Sequence, residues 1–241
     1  MIQVSKLSLS IDGRAILRDI DFTLDEGHNL IILGRSGSGK TVLIKTLMGF
    51  FRPDAGRVLV DGRDVYAPHK LMDQMSQHNI AMVFQNAALL DSFTVFQNVA
   101  LPLYERGGLE YQDVLAKVRN CLAVVGLEET LDKYPSELSG GMRKRVGIAR
   151  ALVYDPRYII FDEPVSGLDP ITASEVLYYI TRIIKTAKAT TITITHDIRN
   201  LSDIGDRVLF IEDGQALFFG PLRQLYDTDH PLLRQFLDVL S

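Results

Sequence analysis

Apolar and polar positions alternate with a period of two over much of the first thirty residues, the pattern of half-buried strands. Ser8-Leu9-Ser10-Ile11 runs into the turn pair Asp12-Gly13, and Ile20-Asp21-Phe22-Thr23-Leu24 alternates up to a break at Glu26-Gly27. Leu30-Ile31-Ile32-Leu33 is apolar without interruption, as a strand covered on both faces would be. Val42 to Met48 then reads as a short helix stopped by Gly49. Pro53-Asp54-Ala55-Gly56 turns into a strand over Val58, Leu59 and Val60, which Asp61-Gly62 closes, and Ile80 to Phe84 is a further strand ending at Gln85.

From about residue 88 to 155 the period lengthens to that of helices. Tyr111 to Val125 places Val114, Leu115, Val118, Leu122 and Val125 at helical spacing before Gly126, and a second helix runs from about Gly141 to Val153. Strand patterns return at Tyr158 to Phe161, Thr190 to Thr195 and Val208 to Ile211. Between the first two of these lies a helix, with Asp169 as its N-cap and Pro170 at its first position. Strands alternating with helices predict an α/β fold with a parallel sheet covered on both faces. The expected organisation is one domain over residues 1–241. Residues 1–87 and 156–241 would form the core with an amino-terminal antiparallel β-subdomain, and 88–155 an inserted α-helical subdomain.

Composition narrows the function classes. The 241 residues are 46% hydrophobic and 23% charged, enough apolar surface for one large domain or a core with a subdomain. A formal net charge of −4 makes no electrostatic case for a nucleic-acid binder. The single cysteine, Cys121, excludes an internal disulfide and falls on the apolar face of a helix, where a packing role is expected. No apolar run reaches the length of a membrane span and no signal peptide precedes Met1-Ile2-Gln3-Val4, so a cytoplasmic chain reaching the membrane through another protein is expected.

The chemistry concentrates in three stretches. Gly34-Arg35-Ser36-Gly37-Ser38-Gly39-Lys40-Thr41 has the spacing of a phosphate-binding loop and stands between a strand and a helix, the context that motif requires. Its glycines let backbone N–H groups turn inward around a phosphate, and the helix N-terminus adds partial positive charge. Lys40 would reach the β- and γ-phosphates and Thr41 would ligate Mg²⁺. Tyr158 to Glu163 is an apolar strand ending in two carboxylates that point different ways: Asp162 suits Mg²⁺, and Glu163 suits polarising a water. Ser139-Gly140-Gly141 at a helix start offers a second anion site, although such a triplet often only caps a helix.

In this order the motifs resemble the ATP-binding cassette (ABC) family of transport ATPases, across essentially the full chain. The match comprises GRSGSGKT at 34–41, Gln85 after a strand, LSGGM at 138–142, YIIFDE at 158–163, SGLD at 166–169 and His196 after TTITIT. The resemblance implies a P-loop nucleotide-hydrolase core and two copies packed head to tail. Each ATP would lie between one copy's phosphate loop and the other's Ser139, Gly140 and Gly141. It further implies that Gln85 touches Mg²⁺ and the lytic water, that Asp169 crosses the dimer interface, and that His196 contacts the γ-phosphate. His28, His69, His78 and His230 match no motif and are expected at the surface. Ile11 stands where many cassettes stack adenine on an aromatic ring, which leaves ATP as the default nucleotide and the choice against GTP open. Met142 replaces the commonest signature glutamine, and the charge run Arg143-Lys144-Arg145 is expected on a solvated or intersubunit face.

Residues 86–99 would line a groove that receives a helix of a separate permease. That segment, Met82 to Gln85, Phe161 to Thr172 and Arg234-Gln235-Phe236-Leu237-Asp238 are similar to the MlaF-type cassettes of Mla and Mce lipid-transport systems. This likeness implies an MlaE-like permease, an MCE-domain lipid-binding protein and, as a further candidate, a small STAS-domain subunit. Phospholipid or a related lipid would move between inner and outer membranes, with the cassette on the cytoplasmic face of the inner membrane. The chain ends soon after this last segment, without the longer tail of some MlaF-type proteins, so dimerisation is expected to rest on ATP and the permease. Alternatives are a cassette for an amino-acid, metal or drug permease and, less favoured, one acting on DNA or ribosomes. The span from Gln85 to Ser139 is too short for the coiled-coil arm that last class typically needs.

Overall fold

The computed structural model describes residues 1–67, 80–187, 189–196 and 201–240. Two compact units share the chain: Met1–Ile80 with Ala189–Ser241, and Ala81–Lys188. The fold is α/β, with an antiparallel amino-terminal sheet, a mixed sheet that is largely parallel, and a helical subdomain.

In the first unit, β1 (Ile2–Ile11), β2 (Arg14–Leu24), β4 (Ala55–Val60) and β5 (Arg63–Asp64) form a sheet of order β2-β1-β4-β5. Asp12-Gly13 and Asp61-Gly62 close its two tight hairpins, all four residues with φ between 50° and 77°. That is the geometry of two-residue turns matching the twist of the strands. The alternation of β1 is interrupted where the register slips between Val4 and Leu7, and Lys6 there takes φ 48°. Gly56 lies against this bulge so tightly that a Cβ would stand 2.3 Å from the Lys6 carbonyl oxygen, which is why a glycine occupies it.

The same unit carries β3 (Asn29–Leu33), β8 (Thr190–Ile194), β9 (Arg207–Glu212) and β10 (Gln215–Pro221), in the order β10-β9-β3-β8. β3 runs parallel to both β8 and β9, and its apolar residues are fully buried. Thr190 and Thr191 are also buried in β8. Their hydroxyls are used there, one accepting from Gly27 N at 2.8 Å and the other donating to Asn29 Oδ1 at 2.8 Å. β10, which no sequence pattern predicts, is a hairpin return from β9 through Asp213-Gly214. Helix α1 (Lys40–Leu47) follows the loop after β3.

The second unit holds β6 (Ile80–Val83) beside β7 (Tyr158–Asp162) and four helices: α2 (Val95–Arg106), α3 (Tyr111–Val124), α4 (Gly140–Leu152) and α5 (Pro170–Ala187). It runs wider than the helical segment 88–155, taking in β7 and also α5, which packs on α4. Thr94 caps α2 through a reciprocal capping box with Gln97. Val176, Ile180 and Ile183 give α5 a buried stripe at helical spacing. No helix among the described residues is long and apolar enough to cross a membrane.

Candidate functional site

In the first unit, the loop from Gly34 to Thr41 owes its shape to its glycines. Gly34, Gly37 and Gly39 have φ 148°, 81° and 106°. A Cβ on Gly34 would stand 2.0 Å from the Ile211 carbonyl oxygen, so no side chain fits at the start of the loop. Lys40 is buried, and its ammonium donates to the carbonyl oxygens of Gly34 at 2.9 Å and Arg35 at 2.8 Å, spanning the loop from inside. Ser38 Oγ is buried with no hydrogen-bond partner, an orphan polar atom inside the loop. The orphan hydroxyl, the charged lysine and the N–H groups at the start of α1 fit a polyphosphate, which would engage all three. Arg35, Ser36 and Thr41 are exposed at the loop's outer rim, where Arg35 meets Glu212 at 3.7 Å. His196 is exposed just beyond β8.

In the second unit, Gln85 follows β6 and Glu163 follows β7. The Gln85 side-chain amide donates to Glu163 Oε2 at 3.3 Å. Asp162 is buried at the end of β7, and Glu163 follows it beyond the strand. Glu163 has φ 45°, a left-handed conformation costing a non-glycine residue about 1–3 kcal/mol, and such strain collects at functional sites. Among the described residues no group of three or more His, Cys, Asp or Glu could hold a metal by itself. Within the second unit, an amide (Gln85) and a carboxylate (Asp162) have the oxygen chemistry of a Mg²⁺ ion delivered with phosphates rather than of a resident metal.

Ser139 caps α4, its Oγ accepting from Met142 N at 3.2 Å. Gly141 is also a packing residue: a Cβ there would stand 2.4 Å from Thr172 Cγ2. Asp169 caps α5, accepting from the Ile171 and Thr172 N–H groups at 3.1 Å and from the Thr172 hydroxyl at 2.6 Å. The Thr172 hydroxyl first, then the backbone N–H groups, hold its carboxyl below the usual aspartate value.

The structure corrects the charge run at two of its three residues, Arg143 being exposed as expected. Lys144 and Arg145 are buried, each 7% exposed, and not on a solvated face. Lys144 Nζ donates to the carbonyl oxygen of Gln85 and, at 3.5 Å, to that of Glu163. Burial lowers the Lys144 pKa, and the nearby Glu163 and Asp162 charges partly oppose this. Arg145 donates to Val125 O at 3.0 Å, pairs with Glu175 at 3.2 Å and lies over the Tyr179 ring. Helical spacing could have revealed both, since positions 141, 144, 145, 148 and 152 share one face of α4. Cys121 is half-buried and burial, followed by the Asp155 charge, pushes its thiol up to about 11, in keeping with a packing role. His28 pairs with Asp206 at 3.0 Å, while His230 has a buried ring nitrogen and is not simply a surface residue. His69 and His78 lie outside the described residues.

A sequence model of the family described as "ABC transporter" matches residues 17–166. The chain belongs to the ABC transporter family. It is 36% identical over 237 residues to the probable ribonucleotide transport ATP-binding protein mkl of Mycobacterium tuberculosis, covering 98% of this chain and 66% of that protein. The methionine import ATP-binding protein MetN of Cereibacter sphaeroides is 40% identical over 226 residues, covering 93% of this chain and 64% of MetN. The chain thus spans just under two thirds of these relatives' length. The ABC cassette MJ0796, solved as a dimer in a post-hydrolysis state with ADP and Pi, superposes with a TM-score of 0.81 at 27% identity. That likeness covers 92% of this chain and 99% of MJ0796.

Proposed function

We propose that this chain is the ATP-hydrolysing subunit of an ABC transporter, one nucleotide-binding domain with its helical subdomain over 88–155, working as a head-to-tail pair. The reading rests above all on the phosphate loop, where a buried lysine held by loop carbonyls and an orphan serine hydroxyl lie within one glycine-shaped turn. ATP would supply the phosphoanhydride and Mg²⁺ the charge neutralisation. Gly34 to Thr41 would hold the phosphates, with Lys40 turning from its own loop carbonyls toward them, and Thr41, Gln85 and Asp162 would meet the metal. Glu163 would polarise the lytic water while Gln85 orients it. His196 would contact the γ-phosphate. Ser139, Gly140 and Gly141 would close over the partner copy's nucleotide, and Asp169 would reach across the same interface.

The cargo in this reading is a lipid, moved by an MlaE-like permease with an MCE-domain protein and a STAS-domain subunit at the cytoplasmic face of the inner membrane. The likeness of residues 86–99 to lipid-transport cassettes supports it. Asn98 braces that segment, its side chain bonding the backbone of Leu90, Phe93 and Thr94 while Leu90 stays 42% exposed, which suits a preformed docking surface whatever the cargo. The relatives' names, methionine import and ribonucleotide transport, favour a second reading in which a soluble solute is moved.

Two measurements test these levels. The purified chain should hydrolyse Mg-ATP, and Glu163→Gln should lower turnover about 10²–10⁴-fold while keeping nucleotide binding, since an amide is no base. Turnover within twofold of wild type would remove Glu163 from that role. Affinity purification of tagged Glu163→Gln from detergent-solubilised native membranes should bring down a permease, an MCE-domain protein and phospholipid. A solute-binding protein in their place would replace the lipid reading with the second one.

A further inference from the structure

Helix α4 holds the backbone of the 85–88 segment through three contacts, all within the second unit. Lys144 donates to the Gln85 carbonyl, and Arg150 donates to the carbonyls of Ala87 at 2.6 Å and Ala88 at 2.8 Å. Between them on the helix, Gly147 comes so close that a Cβ would stand 3.2 Å from that of Ala87. The segment needs holding, because Ala87 and Ala88 both take left-handed φ values of 56° and 48°. The Lys144 ammonium also reaches the carbonyl of Glu163, whose backbone is left-handed too. One side chain therefore joins the backbones of two residues whose side chains meet at 3.3 Å. An ammonium is well suited to such a junction, with three donors, no acceptor and a stem long enough to cross from the helix.

We propose that Lys144 is a positioning residue that fixes the Gln85–Glu163 pair and ties it to the helix carrying Ser139, Gly140 and Gly141. It rests on the proposed function only for the reaction it would serve; the clamp itself is a property of the folded chain. Any displacement of the 85–88 segment would then pull on α4 through Lys144 and Arg150. Movement at the candidate permease groove and placement of the hydrolytic pair would thus share one mechanical connection.

Hydrogen–deuterium exchange and steady-state kinetics on Lys144→Met test it. The variant keeps the apolar stem and loses the donors. In the absence of nucleotide, exchange at the Ala87, Ala88 and Ser166 amides, which bond within these two turns, should rise about tenfold. Exchange in the middle of α4 should stay unchanged. ATP turnover should fall about tenfold with KM within twofold, the split expected when binding is intact and transition-state geometry is not. Lys144→Arg should recover part of both. If Lys144→Met does not fold, Lys144→Leu, which also keeps an apolar side chain and carries no donor, carries the same readouts. Unchanged exchange at those amides, or unchanged turnover alongside raised exchange, would overturn the positioning role. A wild-type chain that hydrolyses no ATP would defeat the functional reading instead, and the exchange result would still decide the clamp.

Discussion

Two lysines in this chain are buried to the same extent, each 7% exposed and each with its ammonium on two backbone carbonyls, yet they sit in very different architectures. Lys40 closes on Gly34 and Arg35, six and five residues before it, inside one loop. Lys144 joins Gln85 and Glu163, 59 and 19 residues away, across three elements of the second unit. A desolvated ammonium is tolerated in both because carbonyl oxygens replace its water. The local arrangement is a cradle that eight consecutive residues specify, and under the proposed function its cation would exchange carbonyls for phosphates. The non-local one is a brace: its value lies in the elements it connects, and its cation has no reason to leave.

This contrast can be broken experimentally. The largest effect should come from Lys40→Ala, which removes the charge facing the phosphates and should abolish measurable ATP binding. Unchanged affinity in a binding titration would remove the contrast. Loss of the brace in Lys144→Met should leave affinity near wild type and act on turnover. A smaller effect tests whether the signature glycines are also packing residues. Gly141→Ala gains about 1 kcal/mol of helix propensity but drives a methyl onto Thr172, and overpacking costs about 1–3 kcal/mol. A net loss in Tm, relieved by adding Thr172→Ser, is expected; a Tm at or above wild type would mean that the contact relaxes freely.

The smallest effect concerns the cap of α5. The Asp169 carboxyl titrates below its unfolded value of 3.8, so its contribution to stability is complete above about pH 4. That contribution is lost as pH falls further, through the folded-state value. Asp169→Asn should therefore lower Tm near neutral pH by an amount that shrinks toward pH 3. A difference independent of pH would locate the effect outside the charge.

Much of the molecule is legible without coordinates. The phosphate loop, the strand ending in Asp162-Glu163 and the Asp169 cap stand out because each is made by neighbours in the chain. The elements that escape a sequence reading are those whose cue is weak or distant. β10 is a hairpin return on β9, with a burial pattern too mixed to alternate cleanly. The second unit's reach to β7 and α5 comes from packing, which no local period reports. The charge run at 143–145 misleads because charge density suggests water, while the position of Lys144 and Arg145 on the buried face of α4 counts for more.

The amino-acid sequence by itself determined the family and most of the elements in their order, and it nominated the residues proposed to meet a nucleotide. Backbone turns, glycine conformations and helix caps are short-range physics written in adjacent residues. Only the tertiary structure decided that Gln85 meets Glu163, that a lysine braces them from α4, and that Gly141 is needed for Thr172. Those pairings depend on which surfaces pack together, and a contact between residues far apart in the chain leaves no period or motif to read.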